Sequence, residues 1–429
     1  MLRIGLIGTG TVGGGVISII EQKKAEYREK LGIDLELACI CAKTDEEVAP
    51  YRAKGYTVST DADAMIADPG IDVLVELAGG YNMPRKWILA ALNAGKHVVT
   101  ANKALLAKHG HEIFPLAAEK GLHVLFEAAV GGGIPIIRSL QEGLVGSTVE
   151  SLSCIINGTC NYILSRMAQE GLDFDTVLKD AQRLGFAEAD PTFDIEGIDP
   201  AHKTALLASL CSGHRVDFEK IHVTGISKIT AQDIAIAKEL GCTIKLLGIY
   251  NRDGERVDAR VHPCFVPKHH LLSSVNRVLN AVYLNCDNLG ETLQTGAGAG
   301  RMPTASAVVA DLVSLARAVD TGKRAALPMG WFNLGNSATL VPISETSARY
   351  YFRITSRDER GVLAKITGIL AENNISIETI IQKDVNDPGN VSIVVITEKV
   401  QDCKATKALD PINALPEIVE NSQVIRFLV

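Results

Sequence analysis

An acidic segment in the middle of the chain carries residues suited to proton chemistry. It runs from Gly185 to Lys203 and reads Gly-Phe-Ala-Glu-Ala-Asp-Pro-Thr-Phe-Asp-Ile-Glu-Gly-Ile-Asp-Pro-Ala-His-Lys. Acidic residues and turn formers are crowded here, directly before the apolar stretch 204–211. A lysine beside such a cluster can exchange a proton with a substrate hydroxyl if its neutral form is accessible.

The spacing at the end of this segment predicts where the lysine lies. Asp199 followed by Pro200 is typical of a helix N-cap with proline at the first helical position. Lys203 then faces the positive end of the helix dipole, which favours its neutral form. Two simpler interpretations stay open from position alone: Asp199 only caps the helix, or Lys203 is a surface lysine.

A glycine-rich turn near the N-terminus predicts a dinucleotide site. Gly8-x-Gly10-x-x-Gly13 follows the apolar run Leu2 to Ile7 and precedes a helical pattern. The first two glycines allow a tight turn and close approach to a pyrophosphate, and the third allows helix and strand to pack. Amides at the helix N-terminus would face the phosphate charge. The alternative is a turn without a ligand.

The end of the second strand indicates which cofactor is preferred. That strand ends at Cys41-Ala42-Lys43-Thr44, where the carboxylate that binds the ribose of NAD is expected and is missing. Lys43 suits the additional phosphate of NADP. In the alternative, Lys43 is solvated and Asp45 serves NAD.

The surrounding elements must position these residues. Short apolar strands alternate with helical stretches over residues 1–135, which predicts a Rossmann domain with a doubly wound parallel sheet. Residues 136–302 predict an α+β catalytic and dimerisation domain, and 303–340 a helical return to the first domain. Residues 349–429 have the order strand, helix, strand, strand, helix, strand of a ferredoxin-like unit.

Several spaced motifs resemble the homoserine dehydrogenase family. Besides the glycine turn and the acidic segment, they are Glu76-Leu-Ala-Gly-Gly80, Thr100-Ala-Asn-Lys103, the run from Phe126 to Pro135 and Asn157-Gly-Thr159. The resemblance implies reversible reduction of L-aspartate 4-semialdehyde to L-homoserine with NADP or NAD, in threonine, methionine and isoleucine biosynthesis.

The same resemblance implies a role for each site residue. Lys203 looks like the residue that exchanges the substrate proton, with Lys103 as a second lysine between cofactor and substrate. Glu188 and Asp199 look like the carboxylates that hold homoserine, because a substrate ammonium requires an anionic acceptor. Weaker assignments are Thr159 as a substrate contact and Asp194 as a supporting residue. Further cofactor contacts are expected from Thr9, Val12, Thr100, Gly185 and Gly300.

The glycine-rich run resembles the monovalent-cation loop of the family. Main-chain carbonyls of Glu127, Val130, Gly132 and Ile134 would surround sodium or potassium, since hard cations prefer oxygen ligands. A flexible hinge would also use three consecutive glycines.

The C-terminal region resembles an ACT domain through the stretches 349–355, 358–363 and 373–377. In this family such a domain implies feedback inhibition, with L-threonine as the expected effector at an interface between paired ACT units. The expected contacts are Gly361, Val362, Asn374 and Ile375. A dimerisation module without ligand is the alternative.

Composition limits the class of protein. Hydrophobic residues make up 47% and charged residues 22%, with a formal charge of -7, and no basic stripe indicates a nucleic-acid partner. Nine scattered cysteines predict neither disulfides nor a zinc site. With no charged leader before the first strand and no membrane span, we expect a cytoplasmic protein. Because no aspartate-kinase segment precedes Met1, the family resemblance implies the monofunctional form, and paired ACT units imply a homodimer or homotetramer.

Two other functions fit parts of the sequence. Cys160 is a candidate thiolate for an aldehyde dehydrogenase that acts through a thioester. A non-catalytic amino-acid sensor would use the ACT domain and bind nucleotide without turnover, although retention of both lysines and both carboxylates argues against it.

Overall fold

The computed structural model describes residues 1–320, 333–384 and 389–428. Residues 321–332 of the expected helical return lie outside this part of the chain. Contacts divide the chain into two compact units, each of which combines separate stretches. The first unit consists of residues 1–152, 201–220 and 278–338, and the second of 153–200, 221–277 and 339–429.

The first unit is built on a six-stranded parallel sheet. From one edge to the other, its strands are Val58–Ser59, Leu35–Cys41, Leu2–Ile7, Val73–Glu76, His97–Thr100 and Val124–Leu125. The chain order reverses between Leu2–Ile7 and Val73–Glu76, which pair from Ile4 with Val73 to Ile7 with Glu76. Ligands of doubly wound folds bind at such a switch point. The predicted Rossmann architecture is confirmed.

Helices cover this sheet and complete its core. They are Thr11–Leu31, Asp45–Ala53, Ala62–Ala67, Asn82–Asn93, Lys103–Lys120 and Arg301–Asp320. The last of them contains an apolar stretch, Arg301–Val319, that is long enough to cross a membrane. Here Ala305, Val308 and Leu312 are buried against residues of the first helix and the sheet, so it is a core helix of this unit. A Cβ on Gly15 would lie 2.8 Å from the Arg301 carbonyl oxygen, so the two helices require glycine there.

The remaining elements of the first unit are a hairpin, two short paired strands and short helical turns. Leu279–Cys286 and Gly290–Ala297 form an antiparallel hairpin, and His214–Arg215 pairs in parallel with Asn333–Ser337. Short helical turns are found at Glu127–Ala129, Ile136–Arg138, Ser139–Gly143 and Phe218–Lys220. The strand Val149–Ile155 and the helix Ile198–Ser212 each continue from one unit into the other.

The second unit is built on one continuous sheet that includes the ACT strands. Six consecutive strands of this sheet lie within the second unit, in the order Cys242–Asp253, Arg256–Pro267, Gln423–Phe427, Tyr350–Arg357, Asn390–Thr397 and Ile377–Asp384. The first two form a long antiparallel hairpin from Cys242 opposite Pro267 to Asp253 opposite Arg256. The C-terminal strand pairs in parallel with this hairpin and antiparallel with Tyr350–Arg357. Short strands at His222–Val223 and Thr339–Leu340 also pair with Arg256–Pro267, and Ser347–Ala348 pairs with Val400–Gln401.

Helices flank this second sheet. They are Gly158–Glu170, Phe174–Arg183, Thr192–Ile195, Ala231–Glu239, Val362–Glu372 and Asp402–Asn413, with short turns at Leu271–Ser274 and Ile343–Glu345. Tyr350, Phe352, Ile366 and Leu370 belong to a separate buried core of the ACT region. The ferredoxin-like order of elements predicted for residues 349–429 is confirmed in the described part.

Two local predictions are wrong in detail. The apolar run from Val124 predicts a strand as far as Glu127, but in the structure this strand ends at Leu125. The Glu127 carboxylate instead accepts hydrogen bonds from the N–H groups of Ile137 and Arg138. Asp199 is not the N-cap residue, since its helix begins at Ile198. Lys203 consequently lies in the second helical turn.

Candidate active site

The glycine turn has the geometry that a dinucleotide requires. Gly8 has a φ of +99°, a conformation that side chains rarely adopt. A Cβ on Gly13 would lie 1.9 Å from the Gly8 carbonyl oxygen, so the helix can approach the turn only with glycine there. A Cβ on Gly10 would meet no atom within 4 Å, which leaves open space beside the first helical amides.

A large pocket of about 800 Å³ opens at this turn within the first unit. Its lining includes four of the expected cofactor residues, Gly8, Thr9, Gly10 and Lys43. Val12, Gly13 and Thr100 are not among its lining residues. Asp45 is not among them either, and its carboxylate pairs with Arg52 at 2.8 Å.

The pocket also has an acidic wall that sequence reasoning missed. Glu47, Asp61 and Asp63 line it beside Lys43. The Glu47 carboxylate accepts the Lys43 backbone N–H at 2.9 Å, and Asp61 caps the helix Ala62–Ala67. The two-residue strand Val58–Ser59 was too short to be recognised, so the carboxylates that follow it had no predicted position.

A buried carboxylate sets the position of Lys103. Glu76 is fully buried and accepts hydrogen bonds from two loop N–H groups and from the Thr100 hydroxyl, the last at 2.7 Å. Burial raises the pKa of Glu76, while these hydrogen bonds act in the opposite direction. The Thr100 hydroxyl accepts the N–H of Asn102, and the Asn102 side chain caps the helix that begins with Lys103. Thr100 therefore supports the lysine loop, although it does not line the cofactor pocket.

The helices that carry the two lysines are neighbours in the first unit. Leu106 and Gly110 from one helix, and Leu206 and Ser209 from the other, line the same small pocket of about 20 Å³. Lys203 is buried, with 9% of its surface exposed. Both lysines precede these contacts on their helices.

An amide that sequence reasoning did not assign organises the acidic segment in the second unit. Asn157 is buried, and its Nδ2 donates to Asp194 Oδ1 at 2.7 Å and to Asp199 Oδ2 at 2.9 Å. Its Oδ1 accepts the N–H of Cys160 and caps the helix Gly158–Glu170. The motif containing Asn157 was noted, but its role depends on contacts across 37 and 42 residues.

Thr159 and Glu188 belong to the same region. The Thr159 hydroxyl donates to the Phe186 carbonyl at 2.6 Å, so towards a ligand it offers its lone pairs. Glu188 is exposed, and its backbone carbonyl accepts a hydrogen bond from Gln182. Gly185 has a φ of +76° and ends the turn that leads into this stretch.

Cys160 does not have the environment of a catalytic thiolate. Its side chain is fully buried, and its Sγ donates to the Asp194 carbonyl at 3.2 Å. Reactive cysteines are partly exposed and lie beside positive charge. This geometry argues against the thioester alternative.

The glycine run 131–133 is a tightly packed loop. Gly131 and Gly132 have φ values of +76° and +58°, and a Cβ on Gly132 would lie 2.4 Å from the Gly298 carbonyl oxygen. The Glu127 carbonyl accepts the Val130 N–H at 3.4 Å, and the Ile134 carbonyl accepts the Ile136 N–H at 2.8 Å. Each carbonyl has a second lone pair that could bind a cation. Among the described residues no group of three or more His, Cys, Asp or Glu side chains could hold a metal.

The expected effector residues fall at two ends of one helix. Gly361, with a φ of +90°, precedes Val362–Glu372, whereas Asn374, with a φ of +55°, and Ile375 follow it. Eleven helical residues span about 16 Å. One small amino acid therefore cannot touch both groups within a single ACT unit.

Comparisons with known proteins cover nearly the whole chain. Three family models match: the NAD-binding domain of homoserine dehydrogenase over residues 8–127, homoserine dehydrogenase over 135–313 and the ACT domain over 350–417. A homoserine dehydrogenase of Neisseria gonorrhoeae is 43% identical over 427 residues, which cover 99% of this chain and 98% of that protein.

Solved structures agree with this match. A homoserine dehydrogenase from Thiobacillus denitrificans has a TM-score of 0.93 at 42% identity and covers 100% of this chain and 98% of that one. A hyperthermophilic archaeal homoserine dehydrogenase in complex with NADPH has a TM-score of 0.62 at 25% identity, covering 73% of this chain and 97% of that one.

Proposed function

The chain belongs to the homoserine dehydrogenase family, and from that premise we propose that it reversibly reduces L-aspartate 4-semialdehyde to L-homoserine. It is an NAD(P)-dependent oxidoreductase. The bound nicotinamide supplies the hydride for the aldehyde carbon. The product belongs to the biosynthesis of threonine, methionine and isoleucine.

Lys203 moves the proton in this proposal. It protonates the aldehyde oxygen during reduction, and its neutral form takes the hydroxyl proton of homoserine in the reverse direction. Lys103 stabilises the negative charge that develops on the same oxygen. Asp199 lies one helical turn before Lys203, so one helix presents a carboxylate and the proton-transferring amine together.

The carboxylates bind the amino-acid part of the substrate. Asp199 and Glu188 accept hydrogen bonds from the substrate ammonium group, and Thr159 offers a further acceptor because its proton is already donated to Phe186. Asp194 supports the site through Asn157. The observation that carries the assignment is this Asn157 amide, which binds Asp194 and Asp199 together.

We propose NADP as the preferred cofactor and NAD as the alternative. Support for NADP comes from Lys43, which lines the pocket while Asp45 pairs with Arg52. The carboxylates of Glu47, Asp61 and Asp63 favour NAD instead, because they would repel the additional phosphate of NADP. The family sites expected at Val12, Gly13, Gly185 and Gly300 serve the cofactor through the shape of the surrounding loops.

The carbonyls of Glu127, Val130, Gly132 and Ile134 are proposed to hold sodium or potassium. The left-handed glycines support this by turning successive carbonyls in different directions. Such a cation would neutralise carbonyl dipoles and stiffen the loop.

L-threonine is the proposed effector, bound at Gly361 and Val362 of one ACT unit and Asn374 and Ile375 of a second. The separation along the helix supports a paired arrangement. The protein is then a homodimer or homotetramer, which light scattering would measure. We place it in the cytoplasm, consistent with its nine free cysteines.

The test compares wild type with Lys203→Ala. Steady-state reduction of the semialdehyde is measured with NADPH and with NADH, each with and without threonine. We expect Lys203→Ala to lower kcat by about 10²- to 10⁴-fold while NADPH binding is retained. Normal cofactor binding with near wild-type turnover would refute the role of Lys203.

A further inference from the structure

Lys245 is a buried cation outside the residues assigned so far. It lies on the strand Cys242–Asp253 and is 1% exposed. Its Nζ donates to Asn161 Oδ1 at 3.0 Å, to the Val275 carbonyl at 2.5 Å and to Asn276 Oδ1 at 3.0 Å. These three oxygens match the three donors of an ammonium group. Burial lowers the pKa of Lys245 to about 8, so the bonds compensate a substantial desolvation cost.

The three acceptors come from two segments that Lys245 joins. Asn161 is on the helix Gly158–Glu170, and its Nδ2 also donates to the Val275 carbonyl at 3.2 Å. Ser165, one turn further along that helix, accepts the N–H of Arg277 at 3.1 Å. Arg277 has a φ of +61°, which is unfavourable for a residue with a side chain. The loop is therefore held in a strained conformation against the helix.

The substrate region lies at the same N-terminal end of this helix, whose N-cap residue is Asn157. Asn161 follows Asn157 by four residues, about one turn. Asn157 binds Asp194 and Asp199, while Thr159 binds the Phe186 carbonyl. Asn161 lies in the first turn, and its N–H donates to the Asn157 carbonyl at 3.2 Å, so a shift or rotation at Asn161 moves Asn157 and Thr159 with it.

We propose that Lys245 is a positioning residue for the substrate site. Its ammonium group sets the depth and rotation of the helix Gly158–Glu170, so that Asn157 and Thr159 meet the acidic segment in register. Small displacements of positioning groups cost large factors in rate. The inference rests on the proposed function, since the acidic segment is a substrate site only if that function is right.

Replacing a buried lysine that served only folding would lower the melting temperature without lowering kcat/KM. Lys96 provides the matched control: it is 3% exposed, and its Nζ donates to the carbonyls of Asp68 and Ile71 at 2.6 and 2.8 Å. Lys96 lies in the first unit, and neither it nor its acceptors line the cofactor pocket. Methionine at either position removes a buried ammonium group together with its hydrogen bonds to oxygen acceptors.

The experiment compares wild type, Lys245→Met and Lys96→Met, each alone and combined with Asn157→Ala. Melting temperature, NADPH dissociation constant, and kcat and KM for homoserine oxidation are measured for each protein. For Lys245→Met we expect kcat/KM to fall about tenfold or more, with NADPH affinity within about twofold of wild type. In the Asn157→Ala background, Lys245→Met should lower kcat/KM less than about threefold. The reason is that Lys245 acts through the contact of Asn157 with the acidic segment, which this background already lacks. Lys96→Met should lower the melting temperature but keep kcat/KM within about twofold.

Two results would overturn the inference: kcat/KM of Lys245→Met within about twofold of wild type, or an equal loss in both backgrounds. If Lys245→Met does not fold, Asn276→Ala removes one acceptor from the half-exposed loop, and an unchanged kcat/KM there would also overturn it. Wild type that oxidises homoserine with neither NADP nor NAD would instead refute the proposed function. An active wild type with an equally active Lys245→Met refutes this inference alone.

Discussion

Single buried side chains in this protein position several other residues through their hydrogen bonds. Asn157 illustrates this, since one amide caps a helix and holds two carboxylates at the same time. Glu76 does the same for the loop before Lys103, with three hydrogen bonds to one buried carboxylate. The sequence assigned no role to Asn157 or Glu76. In the structure, both hold the segments that carry predicted site residues.

At this scale His97 predicts how stability depends on pH. Its Nδ1 accepts the backbone N–H of His123 at 3.0 Å, which requires the neutral ring. Burial, together with His123, lowers the pKa of His97 to about 4. The unfolded chain therefore binds more protons below its pKa of about 6.5, and folding stability falls as the pH drops towards 4.

We expect His97 to remove about 1 to 2 kcal/mol of folding stability between about pH 7.5 and about pH 5. Urea unfolding at the two pH values measures the loss in wild type and in His97→Asn, whose amide oxygen can accept the same N–H. The variant should lose less stability than wild type on acidification. Equal losses in both proteins would show that the protonation of His97 is not coupled to folding.

Among the elements, the turn between the first strand and the first helix contains one glycine required for folding and another expected to matter only for cofactor binding. Gly13 contacts the Gly8 carbonyl, whereas Gly10 faces open space. We expect Gly10→Ala to fold normally but to weaken NADPH binding by about tenfold or more, because its methyl group enters the phosphate position.

Gly13→Ala is the matched variant, and it should destabilise the fold itself, since its methyl group would clash with the backbone of the turn. Circular dichroism melting and NADPH fluorescence titration distinguish the two effects. A Gly10→Ala protein with wild-type NADPH affinity would mean that the phosphate lies elsewhere.

On the scale of the whole molecule, the ACT strands form one sheet in the second unit with the long hairpin of Cys242–Asp253 and Arg256–Pro267. The strand Gln423–Phe427 joins them, and Asp233 on the helix Ala231–Glu239 reinforces the connection. Asp233 is fully buried and accepts hydrogen bonds from the Tyr351 hydroxyl at 2.7 Å and Arg353 Nε at 2.8 Å. Deleting residues beyond Ser347 would therefore expose a sheet edge and remove the Tyr351 and Arg353 hydrogen bonds to this carboxylate.

Asp233→Ala should destabilise the protein by about 3 to 5 kcal/mol, because Arg353 would stay buried without its main partner. Urea unfolding measures this, with Arg256→Ala as a control because its pairs with Asp253 and Glu345 are exposed. A loss below about 1 kcal/mol for Asp233→Ala would mean that the ACT region and the hairpin are held together by other contacts.

Because the ACT strands share a sheet with the long hairpin, threonine regulation cannot be tested cleanly by deleting the ACT region. A point variant, Asn374→Gly, avoids the damage caused by truncation, because glycine tolerates the φ of +55° at this position. It should raise the threonine concentration for half-inhibition about tenfold while kcat without threonine changes less than about twofold. Inhibition curves with wild type as the reference measure this, and an unchanged curve would place the effector elsewhere.

The sequence by itself determined the local features of this protein. The parallel strands, the glycine turn and the ferredoxin-like order of the ACT region follow from hydrophobic periodicity and backbone sterics, which act over a few residues. The family motifs extended this to function, because they also consist of neighbouring residues.

Only the tertiary structure decided which distant groups meet. Asn157 reaches residues 194 and 199, Lys245 joins a helix to a loop, and carboxylates beyond a two-residue strand line the cofactor pocket. The ACT strands likewise join the long hairpin in one sheet through pairing between residues 264 and 426. The reason is physical: a buried polar group must find a partner, but a hydrogen bond has no fixed separation along the chain, so no pattern of neighbouring residues reveals it.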